Sequence, residues 1–297
     1  MTHRTIYEAL EDRILTLDGG TGTSVRHYAA ARGATAEVGT PAHLGIMRDI
    51  HRRYLEAGAD IIETDIGYRD RASAMSAART AREAADEYTS LTPCKPRFVA
   101  GAIYACDASA ASQAEGFIDG GADMIILETA TDTRGLRDGL AALEAVAAKR
   151  GEKIPVIVSA TTDGHGTLPS GETVEEFYAA VSPYGPLAIG FNCSQGPQSL
   201  LQPLARLAEI SEFRISAYPS AGLPDGDGNC CCTPEVFAEE VAKYMRQGLV
   251  NIIGGCCGTG PEHIALLARA AGHYMPRPKP KREIADARNT AKAVSER

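Results

Sequence analysis

One pattern repeats along the 297 residues: a short apolar segment, a turn of small residues, and then an amphipathic helix. The apolar segments, which are the predicted strands, lie at 14–17, 59–62, 97–103, 124–127, 155–159, 188–193, 214–218 and from Asn251 onward. Nearly continuous apolar strands that alternate with helices are typical of parallel sheets covered on both faces. Eight such units close more readily into a single-domain α/β fold, the (β/α)8 TIM barrel, than into the alternative, a doubly wound open sheet.

The sequence predicts one barrel domain between two shorter segments. Residues 1–12 form an N-terminal lead-in, 13–275 form the barrel, and 276–297 form a flexible polar tail. The tail begins at 276–282 with prolines that alternate with basic residues. This composition is typical of an extended, solvated chain or of a linker.

The charge and the apolar pattern exclude several kinds of partner. A formal net charge of -8 and a pI near 5.4 argue against nucleic acid or an anionic membrane, because a phosphate surface calls for a basic face. The N-terminus lacks the apolar core of a secretory signal, and no apolar run is long enough to span a bilayer. We therefore expect a cytoplasmic protein. In a reducing compartment its eight cysteines would bind metal or react more often than form disulfides.

Three cysteines follow predicted strands. Cys193 ends the sixth strand, and Cys256 and Cys257 follow the eighth strand after two glycines. In a parallel barrel the carboxyl ends of all strands open on one face, here called the mouth, so the three sulfurs share it. Three converging thiolates would form a zinc site with one open coordination position. The alternatives are ordinary packing, a vicinal disulfide, or an accidental pair.

Polar residues follow other predicted strands and share the same mouth. They are Asp18, Thr64, Asp65, Glu128 and Ser220. Asp18 stands before Gly19, which taken alone favours a turn cap. Glu63 alternates away from Thr64 and is interpreted as a brace at the barrel mouth.

Four segments together resemble the homocysteine S-methyltransferase family: 17–23, 58–64, 190–193 and 251–263. Supporting segments lie at 120–123, 168–173 and 221–224. The similarity extends from about Arg13 to Tyr274 and is strongest to the homocysteine-binding module of cobalamin-dependent methionine synthase.

The resemblance implies a role for each residue of the predicted site. One zinc ion would be bound by Cys193, Cys256 and Cys257, with the substrate thiol as fourth ligand. The substrate carboxylate would be held by the backbone N–H groups of Gly19, Gly20 and Thr21, and the ammonium group by Asp18 and Glu128. Thr64, Asp65 and Ser220 complete the predicted substrate-binding set.

Several departures from the family pattern bear on the function. Asp65-Ile66-Gly67 stands where relatives typically have Asn-Thr-Phe, and Ser220 stands where relatives have an asparagine. The third strand–helix unit is short, which lowers one wall of the mouth. Three further cysteines, Cys230, Cys231 and Cys232, are interpreted as a variable loop; a spare ligand or a redox partner for Cys193 is the alternative.

The sequence therefore predicts a zinc-dependent enzyme that methylates L-homocysteine to L-methionine. Since this length leaves no room for a cobalamin or folate domain, we expect the methyl donor from outside, from a separate methylcobalamin (corrinoid) protein acting in trans. The alternatives are a small donor such as S-methylmethionine or betaine, a different thiol substrate, and a non-catalytic zinc-binding scaffold. The sequence does not specify the oligomeric state.

Overall fold

The computed structural model describes residues 4–31, 37–163, 165–223 and 232–278. Its eight strands are β1 (Leu15–Thr16), β2 (Ile61–Glu63), β3 (Phe98–Tyr104), β4 (Met124–Ala130), β5 (Val156–Ala160), β6 (Ala188–Cys193), β7 (Arg214–Pro219) and β8 (Ile252–Ile253). Every pair is parallel, in the order β1-β8-β7-β6-β5-β4-β3-β2. A parallel bridge between Leu17 and Ile61 joins β1 to β2 and closes the ring. The predicted TIM barrel is confirmed, and the open sheet is excluded.

Ten α-helices occur in the described residues. They are α1 (Ile6–Asp12), α2 (Thr21–Ala31), α3 (Pro41–Glu56), α4 (Arg71–Leu91), α5 (Ala110–Asp119), α6 (Thr133–Arg150), α7 (Val174–Val181), α8 (Pro197–Ile210), α9 (Pro234–Arg246) and α10 (Pro261–Ala271). A 3-10 turn at Ser182–Tyr184 follows α7. The predicted alternation of strands and helices is confirmed, and two helices, α1 and α2, were not predicted.

The missed helix α1 closes the floor of the barrel. It begins with a capping box in which Thr5 and Glu8 bond to each other's backbone N–H. Its apolar residues Ile6, Ala9 and Leu10 pack with residues at the strand starts, such as Phe98. The end of the barrel opposite the mouth is therefore sealed, and the mouth is left as the open end.

The short third unit is accommodated by close helix packing. The helix α5 has 10 residues and lies against α4. A Cβ atom added at Gly116 would lie 2.2 Å from the Arg71 carbonyl oxygen, and one added at Gly120 would lie 2.5 Å from that of Met75. These two glycines let α5 approach the backbone of α4, so a short crossover still reaches the next strand.

Contacts with the barrel continue beyond the predicted barrel end at 275. Arg277 is buried, and its guanidinium donates to the carbonyl oxygens of Ala208, Ser211 and Phe213 near the end of α8. The Asn251 side chain donates in turn to the Arg277 carbonyl oxygen. The division at residues 12 and 275 stays a prediction, but ordered contacts reach at least Arg277.

A membrane-spanning role finds no support in the helices. Among the residues that the structure describes, no helix combines the length and the hydropathy that crossing a bilayer requires.

Candidate metal and substrate site

The three predicted cysteines meet at the mouth of the barrel. Cys193 Sγ lies 3.0 Å from Cys256 Sγ and 3.7 Å from Cys257 Sγ, and all three sulfurs lie within 4.8 Å of one another. All three are free thiols. Sulfurs far apart in sequence are thus brought to one point, as the sequence predicted.

The backbone after β8 explains how adjacent cysteines reach the same point. The N–H of Gly255 donates to the Asp18 carbonyl, and the N–H of Cys256 donates to the Pro219 carbonyl. A Cβ atom at Gly255 would lie 2.3 Å from Thr259 Oγ1, so only glycine fits there. The chain leaves the strand between the ends of β1 and β7, where the alternation of side chains no longer applies.

The three thiols cannot all ionise beside one another, because like charges repel. Hydrogen bonds from Cys193 and Cys256 lower the pKa of the Cys257 thiol to about 3. Cys256 is hydrogen-bonded to Cys193 and Cys257, and these bonds, together with burial, raise the pKa of the Cys256 thiol. The protein alone thus favours one thiolate, and a dication at the cluster would favour three.

The donor set fits a zinc ion. Three cysteine thiolates are typical ligands of Zn²⁺, and three protein ligands leave one position open for another group. Tetrahedral zinc with Zn–S bonds of about 2.3 Å places its sulfurs about 3.8 Å apart. The 3.7 Å distance between the sulfurs of Cys193 and Cys257 agrees with this spacing, and the 3.0 Å distance between those of Cys193 and Cys256 is shorter.

Four acidic side chains lie buried beside the cysteines: Asp18, Glu63, Asp65 and Glu128. Burial is the main cause that raises the pKa of Asp18, of Glu63 and, to about 7, of Glu128. The charges of Cys257 and Asp65 add to the effect on Glu128. This corner of the mouth therefore has an unbalanced negative potential.

Two oxygens of this acidic cluster lack hydrogen-bond partners among the described residues. They are Asp18 Oδ1 and Glu63 Oε2, both buried. The other Asp18 oxygen accepts the Glu63 backbone N–H at 3.0 Å, which ties the ends of β1 and β2 together. Buried acceptors without donors are unfavourable. The cluster is therefore suited to a ligand with a positively charged N–H group.

Asp65 is held from behind by a buried histidine. His43 Nε2 lies 3.0 Å from Asp65 Oδ2, and the Gly39 backbone N–H donates to His43 Nδ1 at 3.4 Å. An accepting Nδ1 places the ring proton on Nε2, so His43 donates to Asp65. The second Asp65 oxygen accepts the Ile66 N–H. This carboxylate is thus fixed, with both oxygens bonded.

The turn before α2 offers backbone donors. The Gly20 N–H already donates to Thr259 Oγ1 at 3.0 Å, whereas those of Gly19 and Thr21 have no acceptor within the described residues. The positive end of the α2 dipole lies at the same place. An anionic group would therefore meet Gly19 and Thr21 there, and a role for Gly20 in holding it stays a prediction.

A family model described as homocysteine S-methyltransferase matches residues 15–271. This chain belongs to the homocysteine S-methyltransferase family. The membership supports methyltransferase activity. That the chain is most similar to the homocysteine-binding module of cobalamin-dependent methionine synthase stays a prediction.

Solved structures agree with this family on the fold. The apo form of the homocysteine methyltransferase MmuM from Escherichia coli has a TM-score of 0.68 and 23% identity, covering 90% of this chain and 98% of that one. The metallated form of MmuM has a TM-score of 0.66 and 21% identity, covering 87% and 96%. At such identities these neighbours show the barrel fold.

The remaining predicted site residues have structural contacts at the mouth. Thr64 Oγ1 accepts the Ala102 N–H at 3.0 Å and so links β2 to β3. The backbone N–H of Ser220 donates to the Cys193 carbonyl at 2.9 Å. Substrate roles for Thr64 and Ser220 stay predictions.

Some residues whose role was not predicted from the sequence also belong to the site. Glu63, interpreted as a brace, faces the other carboxylates, and His43 and Asn192 were not recognised. A signal existed for Asn192, since it precedes Cys193, but strand alternation turns it away from that cysteine. Cys230 and Cys231 lie outside the described residues. Cys232 does not belong to the metal-ligating group that the structure describes.

Proposed function

We propose that this protein is a zinc-dependent S-methyltransferase that moves a methyl group onto the thiol of L-homocysteine and forms L-methionine. One observation carries the proposal: three convergent thiols lie beside buried carboxylates that lack enough donors. Homocysteine carries a thiol and an ammonium group, which match these two halves. Family membership supports the same substrate.

The chain's own residues would orient the substrate. Its ammonium group would donate to Asp18 Oδ1, Glu63 Oε2 and Glu128, which satisfies the orphaned acceptors. Its carboxylate would accept from Gly19 and Thr21 at the start of α2. The side chain then extends toward the cysteines, so binding the amino-acid end places the sulfur.

Zinc, held by Cys193, Cys256 and Cys257, would make the substrate thiol a nucleophile at neutral pH by favouring loss of its proton. A free thiol with a pKa near 8.5 is only a few per cent ionised at pH 7.

For the methyl donor we propose a separate methylcobalamin protein acting in trans. Exposed apolar side chains at the mouth support a bulky donor: Ile66, Tyr104 and Leu223. The short third unit leaves that side of the mouth low. A cationic small donor, such as S-methylmethionine or betaine, is the second candidate, favoured by the acidic cluster.

A donor panel tests the function. Zinc-loaded protein with homocysteine is given methylcobalamin, free or on a corrinoid protein, S-methylmethionine, betaine or methyl-folate, and methionine is measured. We expect methylcobalamin on a corrinoid protein to support turnover. Cys257→Ser should abolish zinc binding and turnover, and Cys94→Ser, an exposed cysteine outside the cluster, should leave both unchanged.

Three outcomes would contradict the proposal. Full activity of Cys257→Ser without zinc would show that the cysteine cluster is not the active centre. Zinc binding without homocysteine binding would favour a scaffold, and turnover with other thiols only would favour a different substrate.

A further inference from the structure

The side-chain amide of Asn192 is fully buried where the ends of β4, β5 and β6 meet. Its Oδ1 accepts hydrogen bonds from the Thr129 backbone N–H at 3.0 Å and from the Ser159 hydroxyl at 2.8 Å. Because a backbone N–H can only donate, this contact fixes which end of the amide is the oxygen. The amide nitrogen therefore faces the proposed substrate and metal residues.

This nitrogen has more acceptors than hydrogens. Asn192 Nδ2 lies 2.8 Å from Thr129 Oγ1, 3.4 Å from Glu128 Oε2 and 3.9 Å from Cys256 Sγ. An amide nitrogen carries two N–H groups. The short contact to Thr129 takes one of them, so Glu128 and Cys256 compete for the other.

Unfavourable backbone conformations surround the same amide. Thr129, Cys193 and Ser194 have φ angles of 57°, 54° and 62°, and they are the non-glycine residues with positive φ in the described part of the chain. Such conformations persist only where neighbouring contacts hold them. Asn192 bonds to the backbone of Thr129 and directly precedes the other two, so its contacts hold this geometry.

We propose that Asn192 is a positioning residue that couples recognition of the substrate amino group to the thiol end of the site. The proposal rests on the proposed function. When the substrate ammonium neutralises Glu128, that carboxylate becomes a weaker acceptor, and the contested N–H turns to Cys256 Sγ. Coupling of this kind is reciprocal. The site then favours thiols that carry an amino group over thiols that lack one.

Titration calorimetry on the zinc-loaded protein tests this coupling with two ligands. They are L-homocysteine and 4-mercaptobutyrate, which is the same molecule without the amino group. In Asn192→Ala we expect the ratio of the two dissociation constants to fall about tenfold toward equality. An unchanged ratio would overturn the proposal.

Asn251 provides a matched control at the opposite end of the barrel. It is also a buried asparagine, whose Oδ1 accepts the Ile215 N–H at 2.9 Å and whose Nδ2 donates to the Arg277 carbonyl at 2.8 Å. Asn251→Ala should lower the melting temperature and leave the ratio unchanged. A ratio that falls equally in both variants would show a general loss of structure and overturn the proposal.

A second measurement needs no change at Asn192. In cobalt(II)-loaded wild-type protein, L-2-aminobutyrate supplies the amino-acid end without a thiol. We expect it to shift the thiolate-to-cobalt charge-transfer band, and Glu128→Gln should remove the shift. If L-2-aminobutyrate binds and the charge-transfer band does not shift, the coupling is overturned and the proposed function is not. Failure of homocysteine to bind the zinc-loaded wild type would contradict the proposed function, and the coupling with it.

Discussion

Single residues at the mouth show a conflict between binding and stability. Asp18, Glu63 and Glu128 are buried near one another, and burial raises their pKa values, with repulsion from neighbouring negative groups adding to the effect. A carboxyl group whose pKa is higher in the folded than in the unfolded state destabilises the fold as pH rises above its unfolded value of about 4.3. The cluster therefore lowers stability at neutral pH, which is common at functional sites.

Replacing one of these acids should separate the two effects. We expect Glu63→Gln to raise the free energy of unfolding at pH 7 by about 1 kcal/mol, because an ionisable group leaves the buried cluster. The gain should disappear below about pH 4, where the wild-type carboxyl is protonated in both states. Denaturant unfolding at the two pH values measures this.

The same variant should bind homocysteine at least tenfold more weakly, because an acceptor of its ammonium group loses its charge. Glu144→Gln, on the exposed surface of α6, is the control and should change neither property. If Glu63→Gln binds homocysteine as tightly as the wild type, Glu63 does not take part in binding the substrate.

The sequence predicted the site residues unevenly, for a physical reason. The three cysteines were predictable because each follows a strand, and a parallel barrel gathers all strand ends. The roles of Glu63 and Asn192 were not, because both lie within regular strands and depend on which residues of neighbouring strands face them, which the sequence does not specify. The positive φ of Thr129 and Cys193 has no sequence signal, since neither is a residue that favours it.

At the scale of helices and strands, small residues determine how the elements pack. The face of α4 that is buried is largely alanine. The helix α5 meets it through Gly116 and Gly120. The repeating strand–helix pattern predicted α4 and α5 as parts of its units, but α2 was missed because it buries only two apolar side chains, Val25 and Ala29, and so lacks an apolar stripe.

Two glycines inside helices should respond oppositely to alanine. Gly116→Ala should lower the free energy of unfolding by about 2 kcal/mol, because the new Cβ meets the Arg71 backbone. Gly45→Ala in α3 should raise it by about 0.5 to 1 kcal/mol, because no atom lies within 4 Å and alanine favours the helix. Thermal or denaturant unfolding measures both. Equal effects of the two variants would contradict the close packing of α4 on α5.

The contacts after α10 should contribute to stability through one side chain. Arg277→Ala should lower the free energy of unfolding by about 3 kcal/mol, since three carbonyl acceptors lose a charged donor. Arg206→Ala, which removes only exposed ion pairs on α8, should change it by less than about 1 kcal/mol. A loss for Arg277→Ala no larger than for Arg206→Ala would show that the segment at 275–278 does not support the barrel.

At the scale of the whole molecule, the barrel was the most predictable feature. Eight strand–helix units and nearly continuous apolar strands leave few other arrangements.

The chain also carries a buried histidine, His51 on α3, whose effect is on the stability of the entire fold. Burial, with the nearby His43, lowers the pKa of His51 to about 3.

His51 should make the fold sensitive to acid. The folded protein keeps this ring neutral, whereas the unfolded chain takes up a proton below about pH 6.5, so stability falls as pH drops from there toward 3. Between pH 7 and 5.5 the wild type should lose about 1 kcal/mol more than His51→Leu. Unfolding at the two pH values, with exposed His273→Gln as control, measures the difference. Equal losses would contradict a neutral buried ring.

The central claim is that three cysteines hold zinc and leave a position that the homocysteine sulfur takes. X-ray absorption at the zinc edge counts the sulfur ligands directly, at about 2.3 Å. We predict three sulfurs and one lighter ligand in the zinc-loaded protein, and four sulfurs after homocysteine is added. A sulfur count that stays the same with homocysteine bound would contradict the account.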